Sequence, residues 1–246
     1  MAYLTAADKE HFKEHGYVVV RGVLEQKVID DALDVLWENM EEDRNDPDSW
    51  IGRGYKVVRV GSEDAIKRTV YDDPVFAMAE EMVGKGTLQT DGGAGPHLSF
   101  PNPDAEWRQP GGGHLDGYYT PTNGVPKGTV GAFTIGATVY LGKVEPRGGG
   151  FAVWPGSHKI WEEYFRYHDF DSLRGGVSPF DIGEGIDITG DAGDVCFWHN
   201  KLTHSSSANV SRNIRIALIG RMRRKDLDDI RWETPDNMWK YWEGID

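Results

Sequence analysis

Cysteine is nearly absent from this sequence, because Cys196 is the only one in 246 residues. A single thiol cannot form an intramolecular disulfide, so a small fold held together by disulfides is excluded. Such sparse use of cysteine is typical of a reducing compartment, and we expect a cytoplasmic protein. Cys196 stands between Val195 and Phe197 in an apolar run, which predicts that it is buried as a small apolar side chain.

Long apolar runs and a positive net charge are also missing. No run is long enough to cross a bilayer, and the first residues show no basic segment followed by an apolar stretch. Only 27 lysines and arginines stand against 40 acidic residues, which gives a net charge of −13 at pH 7. This charge argues against nucleic acids and anionic membranes as partners. We therefore expect neither of them as a partner. We expect a small molecule as the substrate, and a monomer or a homodimer as the assembly.

The first third of the chain has the patterns of helices. Thr5 followed by Asp8 resembles a capping box and predicts a helix over residues 6–15. Residues 17–20 are rich in valine and predict a short strand. Pro74 is well placed in the first turn of a further helix over residues 74–83. Between the strand 17–20 and the helix 74–83, apolar residues at helical spacing predict another helix. Its single apolar stripe is formed by Ile29, Leu33, Leu36 and Met40.

From about residue 87 onwards, short strand-like runs alternate with turns rich in glycine and proline. Closely spaced strands, with the helices confined to the N-terminal third, predict a mainly β fold with N-terminal helices: a β-sandwich or jelly roll on a helical supporting layer. No internal repeat or long linker divides the chain, so we expect one domain. The predicted strands are 96–100, 112–119, 129–141, 150–154, 186–190, 193–199 and 213–222.

Two histidines and an aspartate suggest a metal site. If residues 112–119 form a strand, His114 and Asp116 project from the same face, because alternate side chains of a strand point the same way. With the distant His204 they would form the 2-His-1-carboxylate set that binds iron(II) and leaves its other coordination positions open. A His-x-Asp triplet alone is a weak signal, and His199 is a rival for the second histidine.

Arg215 is the candidate for binding an anion next to that metal. In the predicted strand 213–222 it shares a face with Ala217 and Ile219, and the opposite face is also apolar. A cation buried there needs an anionic partner. A bound dicarboxylic acid would provide one through a bidentate interaction. An ion pair with one of the many acidic residues of the chain is the alternative, and the strand pattern does not choose between them.

Several segments together resemble the phytanoyl-CoA dioxygenase family of iron(II)/2-oxoglutarate-dependent oxygenases. The segment that ends at Leu24 resembles the N-terminal part of the family, and residues 87–222 resemble its core. The run Trp154-Pro155-Gly156-Ser157-His158 matches the family's Pro-Gly-Ser-His turn, which is structural more than catalytic.

The resemblance implies roles for individual residues. His114, Asp116 and His204 fall on the metal positions of the family, Arg215 on its 2-oxoglutarate arginine, and Ser206 on a position that often helps to bind the co-substrate. The implied cofactors are Fe(II), 2-oxoglutarate as co-substrate, and O2. Because Asp116 is retained, the chain resembles hydroxylating members rather than halogenating ones, which replace this carboxylate with a small residue.

One position departs from the family pattern. Thr138 stands where related enzymes often have a tryptophan near 2-oxoglutarate. A threonine hydroxyl can still donate a hydrogen bond to a carboxylate oxygen, so we keep Thr138 as a predicted co-substrate contact.

The fold that the resemblance implies is a double-stranded β-helix, a cupin-like jelly roll flanked by α-helices. Residues 87–223 would form this core, residues 1–86 a helical N-terminal support and residues 224–246 a tryptophan-rich tail of one oxygenase domain.

The reaction implied by the family is hydroxylation of an unactivated C–H bond in a small molecule, with release of succinate and CO2. Desaturation, cyclisation or epimerisation through the same iron are alternatives that the sequence does not separate. A jelly-roll binding protein without catalysis is a third alternative, and retention of Arg215 and the three metal positions argues against it.

The sequence suggests only some of the residues that form the substrate pocket. We expect its walls to include aromatic residues after Asp116 and polar residues of the strand 96–100. No basic cluster suited to a CoA pyrophosphate is evident, which favours a small cationic or neutral substrate. The candidate substrate-binding residues are Tyr118, Tyr119, His97, Ser99 and Trp107.

Overall fold

The computed structural model describes residues 2–119, 125–173 and 180–245. Within these ranges the helices are α1 (Ala6–His15), α2 (Gln26–Glu38), α3 (Asp64–Tyr71), α4 (Val75–Val83), α5 (Ser157–Tyr167) and α6 (Leu227–Ile230). The strands are β1 (Tyr17–Val20), β2 (Tyr55–Val57), β3 (Ala94–Ser99), β4 (Ile135–Tyr140), β5 (Phe151–Val153), β6 (Ile186–Ile188), β7 (Val195–His199), β8 (His204–Ser206) and β9 (Arg215–Met222). No helix in the described ranges is long and apolar enough to span a membrane.

The N-terminal helices form where their local sequence signals lie. The Thr5 hydroxyl accepts a hydrogen bond from the Asp8 backbone N–H at 3.1 Å, and the Asp8 carboxylate accepts one from the Thr5 N–H at 2.8 Å. This reciprocal cap starts α1, and Gly16 ends it with a φ of 79°, where glycine is favoured. The amphipathic helix α2 buries Ile29 and Leu36. The helix predictions for residues 6–15 and 74–83 are confirmed by α1 and α4.

Most of the described strands belong to one antiparallel sheet with the order β1-β7-β4-β9-β3-β2. A smaller antiparallel sheet has the order β6-β5-β8. His114 adds one more pairing to this smaller sheet through an isolated bridge to His204. The prediction of a mainly β protein with helices is therefore confirmed.

Alternation along the strands divides the apolar core between the two faces of the larger sheet. On β9, Ile216 and Leu218 pack with helices α1 to α4, and Trp239 and Trp242 of the C-terminal tail belong to the same cluster. Ala217, on the opposite face, packs in a second cluster. That cluster also contains apolar side chains of β5 and β6, so it joins the two sheets. The layers are thus helices, larger sheet and smaller sheet.

The sequence predictions fail where strand signals are weak or misleading. Residues 112–119 are not a strand: His114 alone makes a strand-type pairing, and the chain turns at Gly117, which has a φ of 76°. The helices are not confined to the N-terminal third, because α5 follows the Pro-Gly-Ser-His turn and buries Trp161 and Phe165, four residues apart. The predicted strand 129–141 begins only at Ile135. Strands β2 and β8 and helix α3 were not predicted.

A glycine in β4 makes room for a ring at the junction of the two sheets. A Cβ atom added to Gly136 would lie 2.1 Å from the ring of Trp198, and the centroid of that ring lies 4.4 Å from the centroid of the His204 ring. Because protein interiors tolerate little added volume, the backbone at Gly136 sets the position of Trp198.

We expect Gly136→Ala to lower the free energy of unfolding by about 1–3 kcal/mol, because the added methyl group overpacks a filled core. Urea denaturation measures the change. Gly142→Ala is the matched control, because no described atom beyond its own chain neighbours lies within 4 Å of its added Cβ. Equal stability of the two variants would contradict this account of the packing.

Candidate metal centre

A reciprocal pair of backbone hydrogen bonds brings the two candidate histidine ligands together. The His114 N–H donates to the His204 carbonyl oxygen at 3.0 Å, and the His204 N–H donates to the His114 carbonyl oxygen at 3.1 Å. The two imidazole rings then lie on the same side of this bridge, with their centroids 4.8 Å apart.

Asp116 reaches the same point from the chain that follows His114. The intervening Leu115 is fully buried in a cluster with Trp161 and Phe165, so alternation turns Asp116 towards the histidines. His114 Nε2 lies 3.5 Å from Asp116 Oδ1, and His204 Nε2 lies 3.3 Å from Asp116 Oδ2. One ligand atom from each of the three residues lies within 4.8 Å of the others. The predicted convergence is therefore present, although the segment is not a strand.

Backbone carbonyls orient both imidazoles. His204 Nδ1 lies 2.9 Å from the Leu202 carbonyl oxygen, and His114 Nδ1 lies 3.4 Å from the Gly112 carbonyl oxygen. A carbonyl oxygen can only accept a hydrogen bond, so each Nδ1 carries a proton and each Nε2 faces Asp116. A cation placed between the two Nε2 atoms and the carboxylate would replace the protons that these groups share. A divalent metal ion fits this donor set.

The ionisation of Asp116 favours the binding of a cation. Burial alone would raise the pKa of the Asp116 carboxyl, but hydrogen bonds from His114 and His204 and the charge of Arg221 hold it far below its usual range. The pKa of His114 is raised, mainly by its hydrogen bond to Asp116. Asp116 is therefore an anion at any ordinary pH.

Arg221 is a residue of this site that the sequence analysis missed. Its Nη2 and Nε lie 2.5 and 2.7 Å from Asp116 Oδ2. The sequence contains a signal for it: Arg221 is six residues after Arg215 on β9, so the two side chains lie on the same face of the strand, which is the face towards the cavity.

Arg215 is buried without an acidic partner in the described part of the chain. Its Nε donates to the Gly149 carbonyl oxygen at 2.7 Å, its Nη1 donates to the His97 carbonyl oxygen at 2.9 Å, and its Nη2 donates to the Ser206 hydroxyl. No salt bridge joins it to a described carboxylate within 4.0 Å. Burial lowers the pKa of the guanidinium. The alternative of an internal ion pair is thus not realised among these residues, and an anion from outside can bind there.

One cavity of about 710 Å³ connects Arg215 with the metal candidates. Of the predicted substrate residues, His97 and Ser99 line it. The Tyr55 hydroxyl lies 2.5 Å from His97 Nδ1. Burial, followed by the charges of Arg221 and Arg215, lowers the pKa of His97 to about 4. His97 is therefore a neutral wall of the cavity at pH 7.

Four other predicted contacts do not line this cavity. The Thr138 hydroxyl accepts a hydrogen bond from Trp198 Nε1 at 3.1 Å, so Thr138 lies behind that ring. Tyr118 packs against the cluster that contains Leu115, and Tyr119 is exposed. The ring of Trp107 lies 4.8 Å from the guanidinium carbon of Arg147. Contact of any of these side chains with a bound molecule stays a prediction.

His199, the rival second histidine, lies in another environment. Its ring stacks on Trp242 with centroids 5.0 Å apart, and its Nδ1 accepts a hydrogen bond from the Lys201 backbone N–H at 3.0 Å. Burial lowers its pKa well below the usual value. It is an apolar-core histidine, and among the described residues the cluster of possible metal ligands contains His204 instead.

Three solved structures with a similar fold are described as 2-oxoglutarate-dependent or contain bound 2-oxoglutarate. The non-haem epimerase SnoN of nogalamycin biosynthesis is 23% identical with a TM-score of 0.60, and the match covers 89% of this chain and 80% of that chain. The carbocyclase SnoK of the same pathway is 17% identical with a TM-score of 0.57, over 94% and 92% of the two chains. HygX of Streptomyces hygroscopicus, with nickel, 2-oxoglutarate and hygromycin B bound, is 17% identical with a TM-score of 0.56, over 90% and 88%.

The family is shown by the sequence itself. A family model described as phytanoyl-CoA dioxygenase (PhyH) matches residues 12–217. The chain therefore belongs to the phytanoyl-CoA dioxygenase family, and its class is that of the 2-oxoglutarate-dependent non-haem iron dioxygenases. No curated protein matches the sequence.

We expect His204→Ala to weaken binding of one Fe(II) ion by at least about 100-fold, since even loss of an outer partner of a metal ligand costs 10–100-fold. Anaerobic calorimetric titration measures the affinity. His168→Ala is the control, because this exposed histidine stacks on Tyr164 outside the cavity. Unchanged affinity in His204→Ala would show that the metal binds elsewhere.

Proposed function

We propose that this protein is an Fe(II)/2-oxoglutarate-dependent dioxygenase that hydroxylates a C–H bond of a small molecule. The observation that supports this most strongly is the convergence of His114, Asp116 and His204 within 4.8 Å. In this proposal, His114 and His204 hold iron through Nε2 and Asp116 holds it through one carboxylate oxygen. The protonated Nδ1 atoms, fixed on backbone carbonyls, keep both rings in the tautomer that binds a metal.

We further propose that Arg215 and Ser206 bind the far carboxylate of 2-oxoglutarate. His204 and Ser206 are alternate residues of β8, so they share a face about 7 Å apart along the strand. A short dicarboxylic acid can therefore reach from the metal to Arg215. The guanidinium needs an anion, and a bidentate carboxylate matches its planar donors.

The chemistry in this proposal is divided between cofactor and protein. Iron(II), when bound together with 2-oxoglutarate and O2, supplies the oxidation of the C–H bond, and 2-oxoglutarate leaves as succinate and CO2. The protein holds the ligands in place, excludes water and presents the substrate. Asp116 fills the position that a halide would need, which supports hydroxylation over halogenation.

A second outcome of the same chemistry is epimerisation, cyclisation or desaturation. The neighbours that favour it are SnoN, described as an epimerase, and SnoK, described as a carbocyclase. Which outcome follows depends on which C–H bond the cavity presents. A binding protein without catalysis has no need for the complete donor set of three ligands and Arg215.

The proposed fold is a double-stranded β-helix in one domain. Residues 87–223 would be its core, with residues 1–86 as helical support and residues 224–246 as a tail. Two observations support this: the antiparallel sheets share a core cluster, and Trp239 and Trp242 of the tail pack in the same cluster as Phe12 of α1. The buried, lone Cys196 is compatible with action in the cytoplasm.

Under anaerobic conditions, Fe(II) and 2-oxoglutarate should together produce a weak visible charge-transfer band. Arg215→Ala should weaken the affinity for 2-oxoglutarate by about 100-fold, because charge-assisted hydrogen bonds to one carboxylate are lost. A titration of the band with 2-oxoglutarate measures this affinity. Admission of air should then release succinate.

Arg212→Ala is the matched control, because Arg212 is exposed three residues before Arg215 and does not line the cavity. Thermal unfolding of both variants separates lost binding from lost folding. Well-folded wild-type protein that gives no band would refute the proposed function.

A further inference from the structure

The cavity has the opposite charge balance from the protein as a whole. The chain carries a net charge of −13 at pH 7. Of the described residues that line the cavity, however, Arg215 and Arg221 are cationic and Asp116 is the only acid. His97, with its pKa lowered to about 4, adds no charge. The described side chains that line the cavity therefore carry one net positive charge, within a strongly acidic protein.

The net positive charge of the lining remains after the proposed cofactors are bound. The inference therefore rests on the proposed function. Iron(II) adds two positive charges and 2-oxoglutarate adds two negative ones. Asp116 then serves the metal and Arg215 serves the co-substrate. Arg221 is left as the cation whose charge no bound group offsets.

Arg221 also has the geometry of a binding group. Its Nε and Nη2 face Asp116 Oδ2, while no described residue accepts a hydrogen bond from its Nη1. Its side chain is 38% exposed, although it belongs to the cavity lining. A guanidinium with free donors beside a metal site is suited to a planar carboxylate.

The walls next to Arg221 complete such a subsite. Ile219, two residues back on the inner face of β9, is an apolar side chain in the cavity lining. Tyr55 and His97, which are hydrogen-bonded to each other, offer neutral polar groups. No described acid other than Asp116 lines the cavity to repel an anion.

We infer that the substrate is a small carboxylic acid whose carboxylate binds to Arg221 beside the metal. Because Arg221 contacts the metal-ligand candidate Asp116 directly, the oxidised carbon lies near the acid group and not at the far end of the molecule. This differs from the cationic or neutral substrate that the sequence favours. The sequence gives only the net charge of the whole chain, whereas the affinity for a substrate depends on the charges that line the cavity.

The test compares matched ligands on the protein loaded anaerobically with Fe(II) and saturating 2-oxoglutarate. The probes are hexanoate, hexanamide and hexylamine, and 3-phenylpropionate with its amide and amine. Calorimetry measures their dissociation constants. We expect each acid to bind at least about tenfold more tightly than its amide, as one charge-assisted hydrogen-bonded pair provides, and the amines to bind most weakly.

The variants assign this preference to Arg221. Arg221→Gln should abolish the preference for the acids, Arg221→Lys should keep part of it because the charge remains, and Arg212→Gln should leave it unchanged. The charge-transfer band of each variant measures whether iron and 2-oxoglutarate are still bound. If Arg221→Gln loses the band, the inference is tested by whether the wild-type protein prefers the acids and whether Arg221→Lys keeps part of that preference.

Two outcomes overturn the inference: acids that bind no better than amides to the loaded wild-type protein, including the case where no acid binds, and an acid preference that persists in Arg221→Gln. Failure of the proposed function has a different signature, because the charge-transfer band is then missing from the wild-type protein before any probe is added. The two failures are therefore distinguishable.

Discussion

The reciprocal backbone hydrogen bonds between His114 and His204 are the constraint on which the rest of the site depends. They join two segments that are 90 residues apart in the sequence and place His204 between Val153 of β5 on one side and His114 on the other. This register sets both imidazoles on one side, brings Asp116 to them one alternation later, and directs Ser206 towards Arg215. Trp198, held by Gly136 and Thr138, packs against the His204 ring and supports it.

Electrostatic balance explains why the cavity contains so few acids in so acidic a protein. Each cation of the lining has a separate task in the proposed reaction: Arg215 faces the co-substrate, and Arg221 contacts Asp116 on one side and the open cavity on the other. An unpaired buried charge is destabilising, so the buried Arg215 needs hydrogen-bond acceptors or an anion around it. Arg215 uses the carbonyl oxygens of Gly149 and His97 for this purpose, and these neutral acceptors satisfy its donors without forming a salt bridge.

The sequence predicts which side chains converge better than it predicts their surroundings. His114, Asp116, His204 and Arg215 follow from residue chemistry, spacing and family resemblance, and the alternation that placed Asp116 survives even though the segment is not a strand. The carbonyls of Gly112 and Leu202 were not predictable, because every residue has a carbonyl and only the fold selects one. Tyr118 and Tyr119 were expected at the cavity, but the turn at Gly117 redirects the chain. Helix α5 was missed, although Trp161 and Phe165 stand at helical spacing. Arg221 was also missed, although it shares a face of β9 with Arg215.

The central claim is that one metal ion and one dicarboxylate share this cavity, held by the His114–His204 bridge and by Arg215. A crystal structure of the protein grown anaerobically with Fe(II) and 2-oxoglutarate tests it most directly. The account predicts iron on the Nε2 atoms of His114 and His204 and one oxygen of Asp116, with the far carboxylate of 2-oxoglutarate on Arg215 and Ser206. Iron bound to other residues, or 2-oxoglutarate bound with no carboxylate at Arg215, would contradict it.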